Sequence, residues 1–567
     1  MSSTRRSGPR SPRSAFPTRS SGREVAEVLG GGFQAGLVAQ VPQVQVPQVQ
    51  APTVDYGAIA PVLIVLGAAC LSVLVEAFVS RSARWSAQVA LTLLTLGAAG
   101  AALGVHLYSF SAGVRNVVTL AGTIVVDGPA LFLWGTLLAL GLAAVLLIAD
   151  RTVEPGGAFS PDAAIRPGTA ADRAQTGGAV GTMTATVMQT EVFPLFLFSL
   201  GGMMVFLAAN DLLTMFVALE VLSLPLYLMC GLARRRRLLA QEAAVKYFLL
   251  GAFSSAFFLY GVALLYGYAG SVTLSRIAEA SAGSNRPDTL LFGGLALLVI
   301  GLLFKGSIGP FHTWTPDVYQ GAATPVTAFM AACTKVAAFG AILRVLTVAF
   351  EGTRWEWRGL LWGVAIVSMV IGAVLGLTQT DVKRMIAYSS VAHAGFLLVG
   401  AIALTAQGLS GTMFYLLAYG FTTLAAFGVV TLVRDADGEA THLSQWAGLA
   451  KRSPLTAAVF AFLLFALAGI PLTSGFTAKF AVFSAALADG MAPLVMIALV
   501  ASAVAAFFYL RVVVLMYFSE PAIDGPTVSV PGAFTTAAIT LGVVITLLLG
   551  VVPTFALNWA ALGTFGS

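Results

Sequence analysis

The chain has 567 residues, 58% of them hydrophobic and only 10% charged. Soluble domains carry roughly 25% charged residues, so this composition excludes a water-soluble enzyme and places the chain in a membrane. The net charge of +6 sits in tails and loops, where it suits anionic headgroups, and no basic face with interleaved aromatics exists to take nucleic acid.

Residues 1–55 form a basic, low-complexity N-terminal extension. Arg5, Arg6, Arg10, Arg13, Arg19 and Arg23 are spread among Ser, Pro and Gly, and a Val-Pro-Gln run follows. Such a segment buries too little apolar surface to order itself. It reads as a disordered extension or as a start codon placed too early, since no short apolar stretch follows the charges as in a signal peptide. From Tyr56 onward apolar runs of about twenty residues recur, each able to cross ~30 Å of hydrocarbon as a helix. They are expected near 58–79, 87–109, 129–149, 192–209, 211–231, 244–268, 289–309, 322–350, 358–378, 385–405, 409–433, 455–487, 493–517 and 531–553. The fold class is therefore all-α and polytopic, with about fourteen transmembrane helices. Residues 56–150 hold the first three spans, and 151–191 read as a flexible loop rich in Gly, Ala, Thr and Pro. A first repeat is expected over 192–350 (spans four to eight) and a second over 351–518 (spans nine to thirteen). The last span and the C-terminus occupy 519–567.

Arginine and lysine concentrate in loops after odd-numbered spans: Arg81 and Arg84, Arg234 to Arg237, Lys383 and Arg384, Arg434, Lys451 and Arg452. The positive-inside rule puts these loops in the cytoplasm of a bacterial inner membrane, with both termini on the outer face. The three cysteines, Cys70, Cys230 and Cys333, stand singly in apolar surroundings, without metal-site spacing. No phosphate loop or dinucleotide motif is present, so no cofactor site is expected in this chain.

The stretch Leu302–Arg344 organises the rest. Its apolar runs break at Gly306, Gly309 and Pro310, and carry Lys305 and Lys335. A broken backbone in lipid survives only when buried in protein or lining a wet cavity, and an ionisable residue there marks a function. Five spans later Lys479 lies beside a second break at Gly469–Pro471. Five is odd, so the two five-helix units have opposite topology, as in transporters with paired interrupted helices. Lys246, Lys305, Lys335 and Lys479 together carry ~10–14 kcal/mol of insertion penalty. Desolvation disfavours each ammonium and a nearby carboxylate restores it, so a lysine with a movable partner is a proton carrier. Glu220, the only carboxylate deep within a span, suits that role for Lys305 or Lys246. A static ion pair is the plain alternative, and snorkelling is the plain alternative for Lys246. His393 fits a stepping stone between Lys335 and Lys479 as well as it fits a packing residue. His312 and Asp317 are expected in the loop after the seventh span, as a clamp. Arg344 and Arg511 lie nearer span ends, where snorkelling explains them.

The run KGSIGPFHTWTPDVYQGAATPVTAFMAACTKVAAFGAILR resembles the signature of the antiporter-like subunits of respiratory complex I, the proton-pumping NADH:quinone oxidoreductase, of the N type. NDLLTMFVALEVLSLPLYLMCG, TQTDVKRMIAYSSVAHAGF and LAGIPLTSGFTAKFAVF agree, and the similarity runs from about Tyr56 to the C-terminus. The resemblance implies two inverted five-helix repeats, each with a broken helix. It also implies a glutamate–lysine pair at Glu220 and Lys305, with Lys246 modulating it, a connecting lysine at Lys335 and a gating lysine at Lys479. NADH, FMN, iron–sulfur clusters and quinone are then expected on partner subunits, and subunits M, K, J and A as membrane neighbours. A cation/proton antiporter subunit of the same fold, without redox partners, is the alternative.

Overall fold

The computed structural model describes residues 54–111, 116–154, 157–160, 169, 189–283, 288–435, 438–521 and 525–566. All of the expected extension over 1–55 except Val54 and Asp55, and most of the 151–191 loop, lie outside the described residues.

Apolar composition alone would let helices start anywhere; buried aspartates fix where several begin. Helices α1 (Ala60–Phe78) and α2 (Arg81–Ser111) pair with each other. A hairpin of β1 (Val117–Thr119) and β2 (Ile124–Val126) then leads to α3 (Gly128–Ala149), capped by Asp127 accepting from the Ala130 amide. Next come α4 (Val192–Ala208), α5 (Leu212–Gly231), α6 (Arg237–Ala269) and the short α7 (Leu274–Gly283). The seventh span is α8 (Thr289–Lys305) and α9 (Trp314–Gly321), separated by an irregular segment. The eighth runs α10 (Thr324–Phe329), a π-turn over Met330–Thr334, α11 (Lys335–Arg344) and a second π-turn over Val345–Ala349. Then follow α12 (Arg354–Thr378), α13 (Val382–Ala403), α14 (Ala406–Leu432), the single turn α15 (Leu449–Arg452) and the broken pair α16 (Pro454–Ala468) and α17 (Ser474–Ala488). The chain closes with α18 (Ala492–Phe518), α19 (Ala533–Val551) and α20 (Thr554–Ala560). Eleven helices are long and apolar enough to cross a membrane, among the described residues. The other three expected places hold shorter apolar helices, because the backbone is interrupted there or the helix is brief.

The inverted repeat is visible in packing and in hydrogen bonds. In each set the first helix packs on the second and fifth, α4 on α5 and α11, and α12 on α13 and α18. The third packs on both halves of the broken helix, more on the first in one set, α6 on α8, and more on the second in the other, α14 on α17. Asp211 caps α5 through the amides of Leu213 and Thr214, and Asp381 caps α13 through those of Lys383 and Arg384. Each cap is laced to the loop after the third helix: Leu212 N to Val272 O (3.0 Å), and Val382 N to Thr441 O (2.7 Å). The first two helices touch closest at Gly202 and Gly372. A Cβ at either would come within 2.6 Å of Leu222 N or 2.3 Å of Ala392 N, so only glycine fits.

Loops after odd-numbered spans converge on one face. The Arg151 guanidinium lies 3.8 Å from the Trp85 ring centroid. Glu154 pairs with Arg235 (2.7 Å) and Arg434 (3.3 Å). Asp317 joins Lys246 and Arg384, each at 2.6 Å. A small sheet with strand order β4–β3–β5 (Gly438–Glu439, Val433–Asp435 and Thr527–Val528) closes this arginine-rich face.

Two expectations are corrected. The seventh span does not end near residue 309: the helix resumes at Trp314, so His312 sits within the break and Asp317 on its second half. Arg344 does not snorkel. It is fully buried, paired at 3.0 Å with the equally buried Asp127, and donates to Leu207 O at 2.7 Å. Asp127 also accepts from Gly566 N at 2.9 Å, so the pair pins the C-terminal residues against α3. Arg511 remains exposed and donates to Leu377 O at 3.1 Å.

Candidate functional site

Each break frees carbonyls that no helix satisfies, and each is filled by a lysine or an indole. Trp314 at the start of α9 donates to Phe304 O at 3.0 Å and stacks on Tyr247, ring centroids 4.5 Å apart. The Tyr247 hydroxyl is thereby held against Lys305. Buried to 3% exposure, Lys305 donates to Ser223 Oγ at 2.7 Å and Tyr247 Oη at 3.1 Å. Ser223 commits its own proton to Leu219 O, so its lone pairs face the ammonium. Glu220 lies one turn before Ser223. Its charge faces Lys305, yet no ion pair joins the two and Glu220 Oε1 is buried without a partner. Lys305 thus rests on Ser223 rather than on the Glu220 carboxylate, which the sequence offers as its movable counter-charge.

Lys335 starts α11 directly after a π-turn, a device that re-aims one side chain within a helix. Its ammonium donates to Gly306 O at 3.2 Å, in the break beside Lys305, and to Ser390 O at 3.0 Å on α13. The Tyr419 ring centroid is 5.7 Å away. Ser390 Oγ, Tyr419 Oη and Thr423 Oγ1 lie buried together there, Ser390 and Thr423 facing the Tyr419 hydroxyl. Buried polar groups of this kind also take water as a partner.

His393, one turn beyond Ser390, meets Tyr415 Oη through Nδ1 at 2.7 Å and Tyr509 Oη through Nε2 at 3.3 Å. Tyr509 in turn meets Ser389 Oγ. The Leu467 carbonyl faces the same ring, and Lys479 donates to Leu467 O at 3.1 Å, Ala468 O at 2.8 Å and Ser502 Oγ at 2.9 Å. Gly469 ends α16 with φ +88°, where a Cβ would come within 3.0 Å of the Lys479 side chain, so glycine keeps room for the lysine.

Five of the six expected residues, Glu220, Lys305, Lys335, His393 and Lys479, thus lie along one interior row. Lys305 and Lys335 meet at the Gly306 peptide, Lys335 and His393 through the Ser389–Ser390 turn, and His393 and Lys479 at Leu467. The sixth, Lys246, stands apart on the arginine-rich side, where Asp317 (2.6 Å) and Glu242 (2.7 Å) hold it at 41% side-chain exposure. Asp317 is clamped as expected, though from a helix. Ammonium groups on Lys335 and Lys479 rest on neutral oxygens, so a proton can leave either without breaking an ion pair. Among the described residues no cluster of His, Cys, Asp or Glu could hold a metal ion, and all three cysteines are free. Ser223 could have been found from sequence, as a hydroxyl one turn from Glu220. Tyr247, Tyr415, Tyr509 and Ser502 reach the row from distant segments and carry no local signal.

Residues 209–506 match the family described as NADH:quinone oxidoreductase/Mrp antiporter, transmembrane. The chain is 74% identical over 520 residues to a Saccharopolyspora erythraea protein named NADH-quinone oxidoreductase subunit N, covering 91% of this chain and 98% of that one. A Rhodococcus opacus protein of the same name is 58% identical over 527 residues, covering 89% and 95%. Among solved structures, a chain of respiratory complex I from Thermus thermophilus superposes with a TM-score of 0.69 at 32% identity, covering 89% of this chain and all of that one. A chain of the Mrp complex from Dietzia shares the fold at a TM-score of 0.73 and 22% identity, covering 89% and 96%.

Proposed function

Because this chain belongs to the family of NADH:quinone oxidoreductase and Mrp antiporter membrane subunits, within its subunit N branch, we infer that its lysine row carries protons across the membrane. The chain is the ion-translocating membrane subunit N of NADH:quinone oxidoreductase, an all-helical multi-pass protein. In this reading Glu220 and Lys305 load and release one proton through Ser223, with Lys246 adjusting the field from the arginine-rich face. Lys335 passes the proton along by way of Ser390, water and His393, and Lys479 delivers it to the far side. The observation that carries this is the shared break carbonyl: Lys335 binds the peptide that follows Lys305. The antiporter alternative rests on a likeness of fold at 22% identity, whereas relatives at 58% to 74% carry the oxidoreductase name.

Redox groups, namely NADH, FMN, iron–sulfur clusters and quinone, sit on partner subunits in this reading, and subunits M, K, J and A are the membrane neighbours. The arginine-rich face is cytoplasmic by the positive-inside rule, which leaves both termini outside. Quinone reduction elsewhere must supply the driving force, because each charge moved against ~100 mV costs ~2.3 kcal/mol. Lys335→Met tests the relay. In membranes with normal amounts of assembled complex, NADH-driven acidification of inverted vesicles should fall at least about tenfold, given that positioned proton carriers contribute ~10²–10⁴-fold. Unchanged acidification would sink the reading.

A further inference from the structure

A polar pocket opens on the arginine-rich face directly over α10, the first turns of the helix that carries Lys335. It offers about 40 Å³ to water, room for a few molecules at ~10–15 Å³ each, and too little for any organic substrate. Its floor holds a lysine that the relay does not use. Lys383 is buried to 2% exposure, donates to Ala322 O at 2.9 Å and stands 3.6 Å from Glu439 Oε2. The same Glu439 oxygen accepts from Thr324 Oγ1, at the first residue of α10, where no side chain of the helix itself caps the free amides. The carboxylate thus sits at the positive end of the Lys335 helix. The other charged groups around the pair are Arg235, Arg236, Arg434, Glu154 and the capping Asp381. Arg236 donates to Glu439 O at 3.0 Å and to Thr441 Oγ1 at 2.8 Å.

The inverted repeat makes the pair conspicuous. Lys383 stands two residues after the capping Asp381; the matching place after Asp211 on the opposite face is Leu213, 52% exposed. An ionisable pair is therefore present on one face of a symmetric frame and missing on the other. Taking both charges of the pair out of water carries a desolvation cost.

We propose that Glu439 and Lys383 form the site where a proton from the arginine-rich side is taken up before it reaches Lys335. This rests on the relay reading above. A hydronium arriving from the arginine-rich side through the pocket gives its proton to the Glu439 carboxylate and stays behind as neutral water; the resulting acid gives the proton onward to the neutral Lys335 amine through water, restoring the carboxylate. Lys383 remains charged and draws the empty carboxylate back. Ser390, which holds Lys335, lies seven residues along α13 from Lys383, ~10 Å by helical rise, and Lys335 lies eleven residues from Thr324, ~16 Å. Thr327 and Tyr319 stand between, Thr327 Oγ1 donating to Tyr319 O at 3.2 Å while the Tyr319 hydroxyl points toward Ser390.

The test uses inverted membrane vesicles containing the whole complex. Without a positioned loading group, uptake depends on free hydronium, so acidification by Glu439→Gln should fall about tenfold near pH 8 and recover toward pH 6, with Glu439→Asp restoring it. Normal acidification at both pH values, alongside a loss in Lys335→Met, overturns this proposal alone. Normal acidification in Lys335→Met overturns the relay beneath it. A loss in Glu439→Gln that is equal at both pH values marks the pair as a structural staple and also overturns the proposal. Should Glu439→Gln fail to assemble, Lys383→Gln must show the same pH trend, and a flat profile there counts against it.

Discussion

At Lys305 the ammonium is held by two hydroxyls rather than by a carboxylate. That arrangement explains how one residue can be charged in one state and neutral in another without the site collapsing. Ser223→Ala removes the nearer acceptor and leaves Tyr247. Single hydrogen bonds inside membranes average ~0.6 kcal/mol and reach ~1.7, so acidification should drop about threefold to twentyfold while assembly holds. No change in acidification would show that Ser223 is a bystander. Arg344 illustrates the opposite case, a charge kept to hold structure. Its pair with Asp127 is fully buried, so Arg344→Met strands a carboxylate at a cost of about 3–5 kcal/mol. The double change Arg344→Met with Asp127→Leu should recover all but about 1 kcal/mol, the residue being the lost cap on α3. Thermal unfolding of the purified complex measures both, and a double variant less stable than the single contradicts the pairing argument.

Elements were legible where chemistry is local. Spans such as α3 and α12 announce themselves by apolar length, and the Gly469–Pro471 interruption predicts the α16–α17 break. The π-turns around Lys335 were not legible, because nothing in MAACTKVAAF distinguishes a wide turn from an ordinary one. Nor was α9, a short helix whose first residue is held by stacking on Tyr247, 67 positions away by 314 minus 247. Arg344 was misread for the same reason: its partner Asp127 lies 217 residues upstream. The π-turn makes a prediction of its own. Because the π-turn already holds the one extra residue the helix can absorb there, inserting an alanine between Thr334 and Lys335 turns the lysine by ~100° against the flank before it. Lys335 then leaves Gly306 O, and acidification should fall to the level of Lys335→Met with the protein still present. Retained acidification would mean the lysine's direction does not matter.

On the scale of the whole molecule, the repeat supplies two broken helices of opposite sense, and the residues at matching places differ between the halves. Counting from the capping aspartates, Glu220 and Ser223 in α5 correspond to Ser390 and His393 in α13. The first half thus places a carboxylate and a hydroxyl by its lysine, and the second a hydroxyl and an imidazole. Two halves of one frame therefore hold their protons differently, and the sideways Lys335, bonded to both, is where they meet. Direction also requires that the faces differ, and the arginine loops make them so. Ser82, exposed in the first turn of α2, reports which face is which. In a background lacking the native thiols, Ser82→Cys should react with an impermeant maleimide in inverted vesicles and stay unlabelled in intact cells. Labelling from outside the cell would reverse the sidedness and place the Glu439 pocket at the exit of the row instead of its entrance.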